Sequence, residues 1–457
     1  MSPKAEEMLL LFLVTLLVLA PAALGTWGLA GEPSLPIASP LVQESGRPQY
    51  TGPGSCASTS CHGGVKPRNE TRVLQDEYST WIVKDKHSKA YSVLAGPVGV
   101  RMARILGLGD PQKAPRCLAC HALDAPAAER ARTFDLSEGV SCESCHGPAS
   151  QWLGRHTTKD WESLSGAEKA RYGMYDTANV IRRTEKCLTC HLGTSEKFMD
   201  HELFAAGHPD LFFELDSFSA VMPRHWKQPM EKDPWLGVRE WGTGQAVQLR
   251  ASLERLAVRA RGKVWPEYAE LQCFACHHSL TRAEDSWRQE RGYPGRRPGN
   301  PPWNASRYAV FRELVRQVDG GAAGKLDTEI TRLWEQMSRL NPDRDQVAAI
   351  ATGAAGVVAP LAGQLNAQTY DAAATMRLIQ RICSQADAIS GQGERAAEQA
   401  AMALQSLYIA YSRNAKPANT EEVRAAINEL YRQLENPSNY NPNRFAAAMR
   451  KMGSLLR

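Results

Sequence analysis

Ten of the eleven cysteines form five close pairs between positions 56 and 277, and a histidine directly follows each pair. Two thiols and an adjacent histidine are what a c-type haem needs, because the thiols form thioethers with its vinyl groups and the histidine ligates the iron. The pattern therefore predicts five covalently attached haem c groups. The predicted attachment cysteines are Cys56, Cys61, Cys117, Cys120, Cys142, Cys145, Cys187, Cys190, Cys273 and Cys276, and the proximal ligands are His62, His121, His146, His191 and His277.

Zinc chelation and disulfides are the alternatives for closely spaced cysteines. Neither requires a histidine after every pair, so the regular follower favours haem. Four pairs have the C-x-x-C-H spacing, whereas the first has four residues between Cys56 and Cys61. Without haem, that first pair would most readily form a disulfide in an oxidising compartment.

Five haems within about 220 residues leave roughly 45 residues for each, too few to surround every haem with its own apolar pocket. The haems themselves are therefore expected to form the core. The predicted fold class is mainly α: a loop-rich multihaem cytochrome domain followed by an all-α helical region.

Six histidines lie outside the motifs and are candidates for the second axial position: His87, His156, His201, His208, His225 and His278. His278 directly follows a proximal ligand and could serve only a neighbouring haem, so it is set aside. The remaining five match the number of haems. Ligation of all five irons would make the protein an electron carrier, whereas one open iron would allow catalysis on a small ligand. A methionine ligand, from Met174, Met199 or Met222, is a lesser alternative.

Composition divides the chain into four parts. Residues 1–30 are a signal peptide or an N-terminal membrane anchor, because Met8–Ala30 has no charge and exceeds the roughly 20 residues needed to span a bilayer. Residues 31–54 form a Pro-rich linker, 55–300 the pentahaem domain and 301–457 a helical C-terminal domain. No second apolar run of spanning length is evident.

The C-terminal part has the spacing of about six amphipathic helices, with breaks at Asn341-Pro342, Lys416-Pro417 and Asn436-Pro437. Asn419 and Glu422 suggest a capping box, and Cys383 lies on an apolar stripe as a buried thiol. Upstream, Thr243 is a possible N-cap of a helix through Leu256. The helical region is either a bundle or a module that docks the protein into a larger complex.

The net charge of +5, without a long run of basic residues, argues against nucleic acid as a partner. The N-terminal segment places the rest of the chain outside the cytoplasmic membrane, in the periplasm or cell envelope, either soluble after cleavage or anchored by Met8–Ala30. The expected partners are an electron donor and an electron acceptor protein.

The sequence resembles the multihaem c-type cytochromes related to the tetrahaem partner of hydroxylamine oxidoreductase, especially long forms with a helical C-terminal region. The resemblance is carried by five stretches: Trp81–Leu94, Cys142–His156, Ala205–Leu215, Met222–Trp226 and Cys273–Leu280. The resemblance implies that these histidines are distal haem ligands, and its support is strongest for His87, His156 and His208, weaker for His225 and weakest for His201. The chain departs from the octahaem oxidoreductases of this group in having five motifs and no mark of their crosslinking tyrosine.

Two functions follow from these expectations. The first is electron transfer between redox partners through closely packed, mostly bis-His haems, with no catalytic residue. The alternative is an oxidoreductase acting on a small nitrogen or sulfur oxyanion at one five-coordinate haem. The best candidate for this open iron is the haem whose predicted distal ligand is His201. Arg182, Arg183 or Arg224 would hold the anion.

Overall fold

The computed structural model describes residues 46–227, 233–273, 276–277 and 302–456. These ranges contain helices and no strand, and extended pairing is limited to two isolated bridges, Tyr50 with Arg130 and Leu271 with Trp303. The predicted mainly-α class is confirmed. The predicted N-terminal segment 1–30 and most of the linker lie outside the described residues, as does His278, and the boundary at 300/301 stays a prediction.

Residues 46–227, here called the motif segment, fold into short helices joined by loops and single 3-10 turns. The helices are α1 (Glu77–Lys84), α2 (Pro97–Ile105), α3 (Pro115–His121), α4 (Cys142–His146), α5 (Lys159–Ser163), α6 (Gly166–Ala170), α7 (Val180–His191), α8 (His201–Ala205) and α9 (Leu215–Val221). The 3-10 turns are Pro53–Cys56, Lys86–Lys89, Ser92–Ala95, Ala127–Glu129, Leu136–Glu138 and Arg155–Thr157.

Residues 302–456, here called the helical region, form longer helices and share a core with a preceding long helix, α10 (Leu236–Ala260). The helices are α11 (Ser306–Ala309), α12 (Phe311–Val318), α13 (Gly320–Met337), α14 (Arg344–Ala367), α15 (Ala372–Ser384), α16 (Ala386–Ser390), α17 (Glu394–Ala415), α18 (Thr420–Arg432) and α19 (Pro442–Leu455). Two 3-10 turns complete the described elements: Tyr268–Glu270 and Pro437–Asn439.

Helix ends in the helical region follow the predicted breaks. α13 ends before Asn341-Pro342, α17 before Lys416-Pro417 and α18 before Asn436-Pro437. Aspartate caps start three consecutive long helices: Asp319, Asp343 and Asp371 each accept a hydrogen bond from a first-turn backbone N–H.

One predicted capping box and one predicted cap are wrong. Asn419 is the N-cap residue of α18, but its side chain forms no capping hydrogen bond and instead donates to the Leu455 carbonyl at the end of α19 (2.6 Å). Thr243 lies inside α10, which begins seven residues earlier at Leu236. The neighbouring glycines serve close helix packing: a Cβ at Gly244 would lie only 2.8 Å from Leu215 Cβ.

The apolar core is distributed very unevenly. One large cluster joins α10 to the helical region and includes Cys383, which is buried as predicted and whose pKa burial raises to about 12. The motif segment contributes two further clusters, each with only three buried members: Leu94, Leu118 and Ala122 in one, Ala149, Trp152 and Trp161 in the other.

Helix α14 is the one described helix long and apolar enough to cross a membrane by length and composition. The prediction of no second spanning run therefore needs correction. Half of the apolar stretch of α14 is nonetheless buried within the protein, where Val347, Ala351 and Val358 are inaccessible. The core helix of a soluble protein has these same properties.

Candidate functional site

Three of the cysteine–histidine motifs occupy the C-terminal turns of helices. α3, α4 and α7 each end at the motif histidine, His121, His146 and His191 respectively. In an α-helix, residues i, i+3 and i+4 lie on one face. The two thiols and the imidazole of a C-x-x-C-H sequence therefore project from the same side, as attachment to one haem requires.

The first and last motifs close in related ways. In the stretched motif the extra residues fold into a turn, with the Cys61 N–H donating to the Ser58 carbonyl (2.9 Å). The His62 N–H still donates to the Cys56 carbonyl (3.3 Å), which brings the histidine back beside the first cysteine. In the last motif the His277 N–H likewise donates to the Cys273 carbonyl (2.8 Å).

Four of the five motif histidines face one of the predicted distal histidines across a gap of nearly constant width. Within the described ranges, no group of three or more His, Cys, Asp and Glu side chains is arranged to hold a metal ion. The histidines meet in twos instead. Their ring centroids are separated by 6.1 Å for His62 and His156, 6.1 Å for His87 and His191, 6.3 Å for His121 and His208, and 6.2 Å for His201 and His277.

This spacing fits an iron between the rings. A histidine nitrogen binds a metal ion at about 2.0–2.1 Å, and adding about 1.2 Å from nitrogen to ring centre on each side gives centroids roughly 6.4–6.6 Å apart, within about 0.5 Å of the four observed gaps. Direct stacking of two rings would allow a much closer approach. The gaps therefore have the width that two axial imidazoles of one iron require.

The remaining motif histidine, His146, is associated with His225. Burial lowers the pKa of His146 to about 4, and the charge of His225 is the next largest cause. His225 Nδ1 lies 3.2 Å from the Pro223 carbonyl oxygen. Each predicted proximal histidine thus has a predicted distal histidine as its neighbour.

Most of these rings have Nδ1 occupied by a hydrogen-bond acceptor, which leaves Nε2 with its lone pair free to ligate. Two rings use a carboxylate: His62 with Glu77 (2.8 Å) and His87 with Asp85 (2.9 Å). Others use a backbone carbonyl: His121 with Ala90 (2.8 Å), His156 with Trp152 (3.1 Å) and His208 with Pro209 (2.8 Å).

The electrostatics of the rings differ accordingly. Burial lowers the pKa of His191 to about 4 and also lowers that of His208, so both imidazoles are neutral at pH 7. Neutral imidazole is the form that ligates a metal. The hydrogen bonds that Glu77 and Asp85 accept from His62 and His87 raise the pKa of these two imidazoles, which makes the two rings more electron-rich.

Contacts between motifs establish which ones are neighbours. The Cys142 thiol lowers the pKa of Cys56, and the Cys120 thiol lowers that of Cys190, so the thiols of each pair lie close together. Cys145 acts electrostatically on Cys187. The first motif therefore lies beside the third, the third beside the fourth, and the fourth beside the second.

Arg116, directly before Cys117, links the second motif to the fifth. Its guanidinium pairs with Asp200 and with Glu202 (3.3 Å), the two residues that flank His201. Arg183 instead pairs with Glu240, and Arg182 lies 3.6 Å from Glu185. These two predicted anion-binding arginines therefore have other partners.

Glu143, between the third pair of cysteines, has a structural role that the sequence did not reveal. Its buried carboxylate accepts hydrogen bonds from the backbone N–H groups of Thr51 (2.9 Å), Gly52 (2.7 Å) and Ala149 (2.7 Å). It thereby ties the start of the motif segment to α4. Glu77 and Asp85 were also missed. Glu77 lies fifteen residues from His62, whereas Asp85 stands only two residues before His87, where a local signal could have revealed it.

Comparison with known proteins identifies part of this site. Residues 56–147, which contain the first three motifs, match the family model of cytochrome c554 and c-prime, a multihaem c-type cytochrome family. No curated protein and no solved structure gives a significant match. The match indicates a c-type cytochrome of electron transfer and implies covalently bound haem c. A relationship to the partner of hydroxylamine oxidoreductase stays a prediction.

Proposed function

We propose that this protein is an exported pentahaem cytochrome that carries electrons between a donor and an acceptor protein. Each haem is attached through one cysteine pair and ligated by two histidines. The proposed axial pairs are His62 with His156, His121 with His208, His146 with His225, His191 with His87, and His277 with His201. When bound, haem supplies one-electron redox chemistry at iron.

The four ring gaps of 6.1–6.3 Å carry this proposal. Chance contacts between surface histidines would not repeat one spacing four times, nor would each join a motif histidine to a non-motif histidine. The Nδ1 hydrogen bonds add support, because a ring whose Nδ1 is hydrogen-bonded to an acceptor has Nε2 available as the ligating nitrogen.

The contacts between motifs suggest the order in which electrons pass. Thiol contacts bring the first, third, fourth and second motifs together in that order, and Arg116 extends the series to the fifth. The proposed route therefore differs from the order of the motifs along the chain. Its two ends are the haems of His62 and His277.

The oxidoreductase alternative receives no comparable support. In that alternative, the open iron belongs to the haem whose predicted distal ligand is His201. The ring centroids of His201 and His277 are nevertheless 6.2 Å apart, and the two ring planes are inclined by only 25°. The geometry thus favours six-coordination at this haem as well.

The first test is haem stoichiometry and coordination in protein produced with a c-type maturation system. We expect five haems per chain by the pyridine haemochrome assay and a dithionite-reduced spectrum that carbon monoxide leaves unchanged. A shifted Soret band would show an open iron and favour the oxidoreductase.

Electron paramagnetic resonance provides a sharper test. Parallel imidazole planes separate the two iron d orbitals that carry the ferric spin, whereas perpendicular planes leave them nearly equal in energy and make the signal more anisotropic. His62/His156 and His201/His277 are near-parallel (16° and 25°), while His87/His191 and His121/His208 are near-perpendicular (89° and 82°). We therefore expect two classes of low-spin signal. In H201A the near-parallel class should lose intensity and a high-spin signal should appear, with H278A as the unchanged control.

Export is the remaining element of the proposal, supported by the uncharged stretch Met8–Ala30. Cell fractionation should find the haem protein outside the cytoplasmic membrane. Mass spectrometry of the mature N-terminus would then distinguish cleavage from anchoring.

A further inference from the structure

A pocket outside the histidine pairs is lined by four arginines: Arg255, Arg259, Arg307 and Arg395. It lies among residues 199–212, α10, α11 and α17, and its cavity volume is about 40 Å³. Such a concentration of guanidinium groups inside a protein requires anions to offset it.

The carboxylates present account for three of the four arginines. Glu270 pairs with Arg255 (3.1 Å) and Arg259, and Asp210 pairs with Arg395. Arg307 has no such partner among the described contacts, and its buried Nε lacks any hydrogen bond. Burial, together with the charges of Arg255 and Arg395, lowers the pKa of Arg307 to about 9.

The pocket also contains Glu398 in its lining. Burial, with the charges of Asp210 and Glu394, raises the pKa of this carboxyl to about 7, so it is only partly ionised at neutral pH. Positive charge therefore remains in excess. The Nε atoms of Arg255 and Arg259 are buried without partners as well, which leaves several donors for an incoming anion.

The pocket adjoins both chain segments of the His201–His277 pair. The Arg259 side chain donates to the Met199 carbonyl (2.7 Å), two residues before His201. Arg395 donates to the Leu271 carbonyl (3.4 Å) and acts electrostatically on the attachment residue Cys273. An anion belonging to a haem on this pair would therefore lie within reach of the arginines.

We propose that this pocket binds a carboxylate-type oxyanion, and that the anion is a propionate of the haem held by His201 and His277. The assignment to a propionate rests on the proposed function. Guanidinium groups bind carboxylates through charge-assisted hydrogen bonds, often in pairs, which suits a buried arginine with a free Nε–H.

The test uses haem-loaded full-length protein and the variants R307Q, R307K and R332Q. Arg332 is an exposed arginine on α13 and serves as the matched control. In R307Q the propionate loses a positive neighbour, and its uncompensated charge stabilises ferric iron. In R307Q we expect redox titration to show one fifth of the haem absorbance shifted to lower potential. R307K should restore most of the parent potential, and R332Q should show no shift.

Titration with formate and nitrite distinguishes the two sources of anion. Binding of either anion by the parent protein, lost in R307Q while all haem potentials stay unchanged, would overturn the propionate assignment in favour of a free small oxyanion. Unchanged potentials without anion binding would overturn the pocket as an anion site. Haem stoichiometry is measured first, so a count below five identifies failure of the proposed function separately.

Discussion

The motif segment and the helical region are stabilised by different means. The helical region, with α10, buries a continuous apolar core that includes Phe311, Leu404 and Phe445, all completely inaccessible. The motif segment is of similar length, but it adds only Val180, Leu188, Leu192, Phe213 and Leu215 to that core and otherwise has two apolar clusters of three buried residues each. Buried apolar area is the dominant favourable contribution to folding, so the motif segment requires another source of stability. The proposed haems would supply it.

Preventing haem attachment should produce the largest effect. In full-length protein made without the maturation system, we expect the motif segment to unfold while the helical region keeps its far-ultraviolet circular dichroism. Limited proteolysis with mass spectrometry should find cleavage concentrated before residue 180. Equal protection of both regions in haem-free protein would contradict the comparison.

A cavity in the core of the helical region should destabilise that region and leave the motif segment unaffected. The F445A variant removes a fully buried ring from α19 and should lower the free energy of unfolding by about 3–5 kcal/mol, while the visible spectrum stays unchanged. Leu340 is 88% exposed, so L340A should change stability by less than about 0.5 kcal/mol. A changed Soret band in F445A would show that the two regions depend on each other more closely.

Polar contacts should matter more in the motif segment. The E143Q variant places an amide where three backbone donors converge, and we expect a loss of about 2–3 kcal/mol. Hydrogen exchange should accelerate at Thr51, Gly52 and Ala149. The exposed residue Glu162 supplies a control, E162Q, which should leave exchange at these positions unchanged.

Glu138 should make stability depend on pH. Burial, with the charges of Asp135 and Glu143, raises its pKa to about 7, and its buried Oε2 has no hydrogen-bond partner. Between pH 4.5 and 7 the Glu138 carboxyl is ionised in the unfolded chain but still largely protonated in the native state, so the free energy of unfolding decreases as pH rises. After allowance for solvent screening, E138Q should stabilise by about 1 kcal/mol at pH 8 and by almost nothing at pH 4. Equal effects at both pH values would refute this assignment.

The carboxylates behind two histidines should produce the smallest effect. Removing the charge in E77Q weakens the donor character of His62 and should raise the potential of its haem by the equivalent of less than about 1 kcal/mol. D85N should act likewise on the haem of His87 and His191. In the double variant both shifts should appear at full size, because they concern different haems. E162Q is again the control.

The sequence predicted what depends on near neighbours in the chain. The attachment motifs, the breaks at Pro342, Pro417 and Pro437, and the buried Cys383 all follow from spacing over a few residues. The prediction of Thr243 as an N-cap was wrong because the helix continues through the adjacent glycines, one of which, Gly244, allows close contact with the distant residue Leu215. The histidine pairs and the arginine pocket join residues far apart in the chain, so the sequence indicated how many distal ligands to expect but not which iron each would serve.

The histidine pairs are staggered along the chain, with separations from 76 residues (201 to 277) to 104 residues (87 to 191). In the proposed holoprotein each iron joins two distant segments, and successive links overlap. At least two links span every peptide bond between residues 87 and 225. Under tension applied at its two ends, this stretch could not reach its full contour length until those iron–nitrogen bonds broke. Mechanical extension should therefore proceed through discrete ruptures, with the greatest resistance between residues 146 and 156, where four links run side by side.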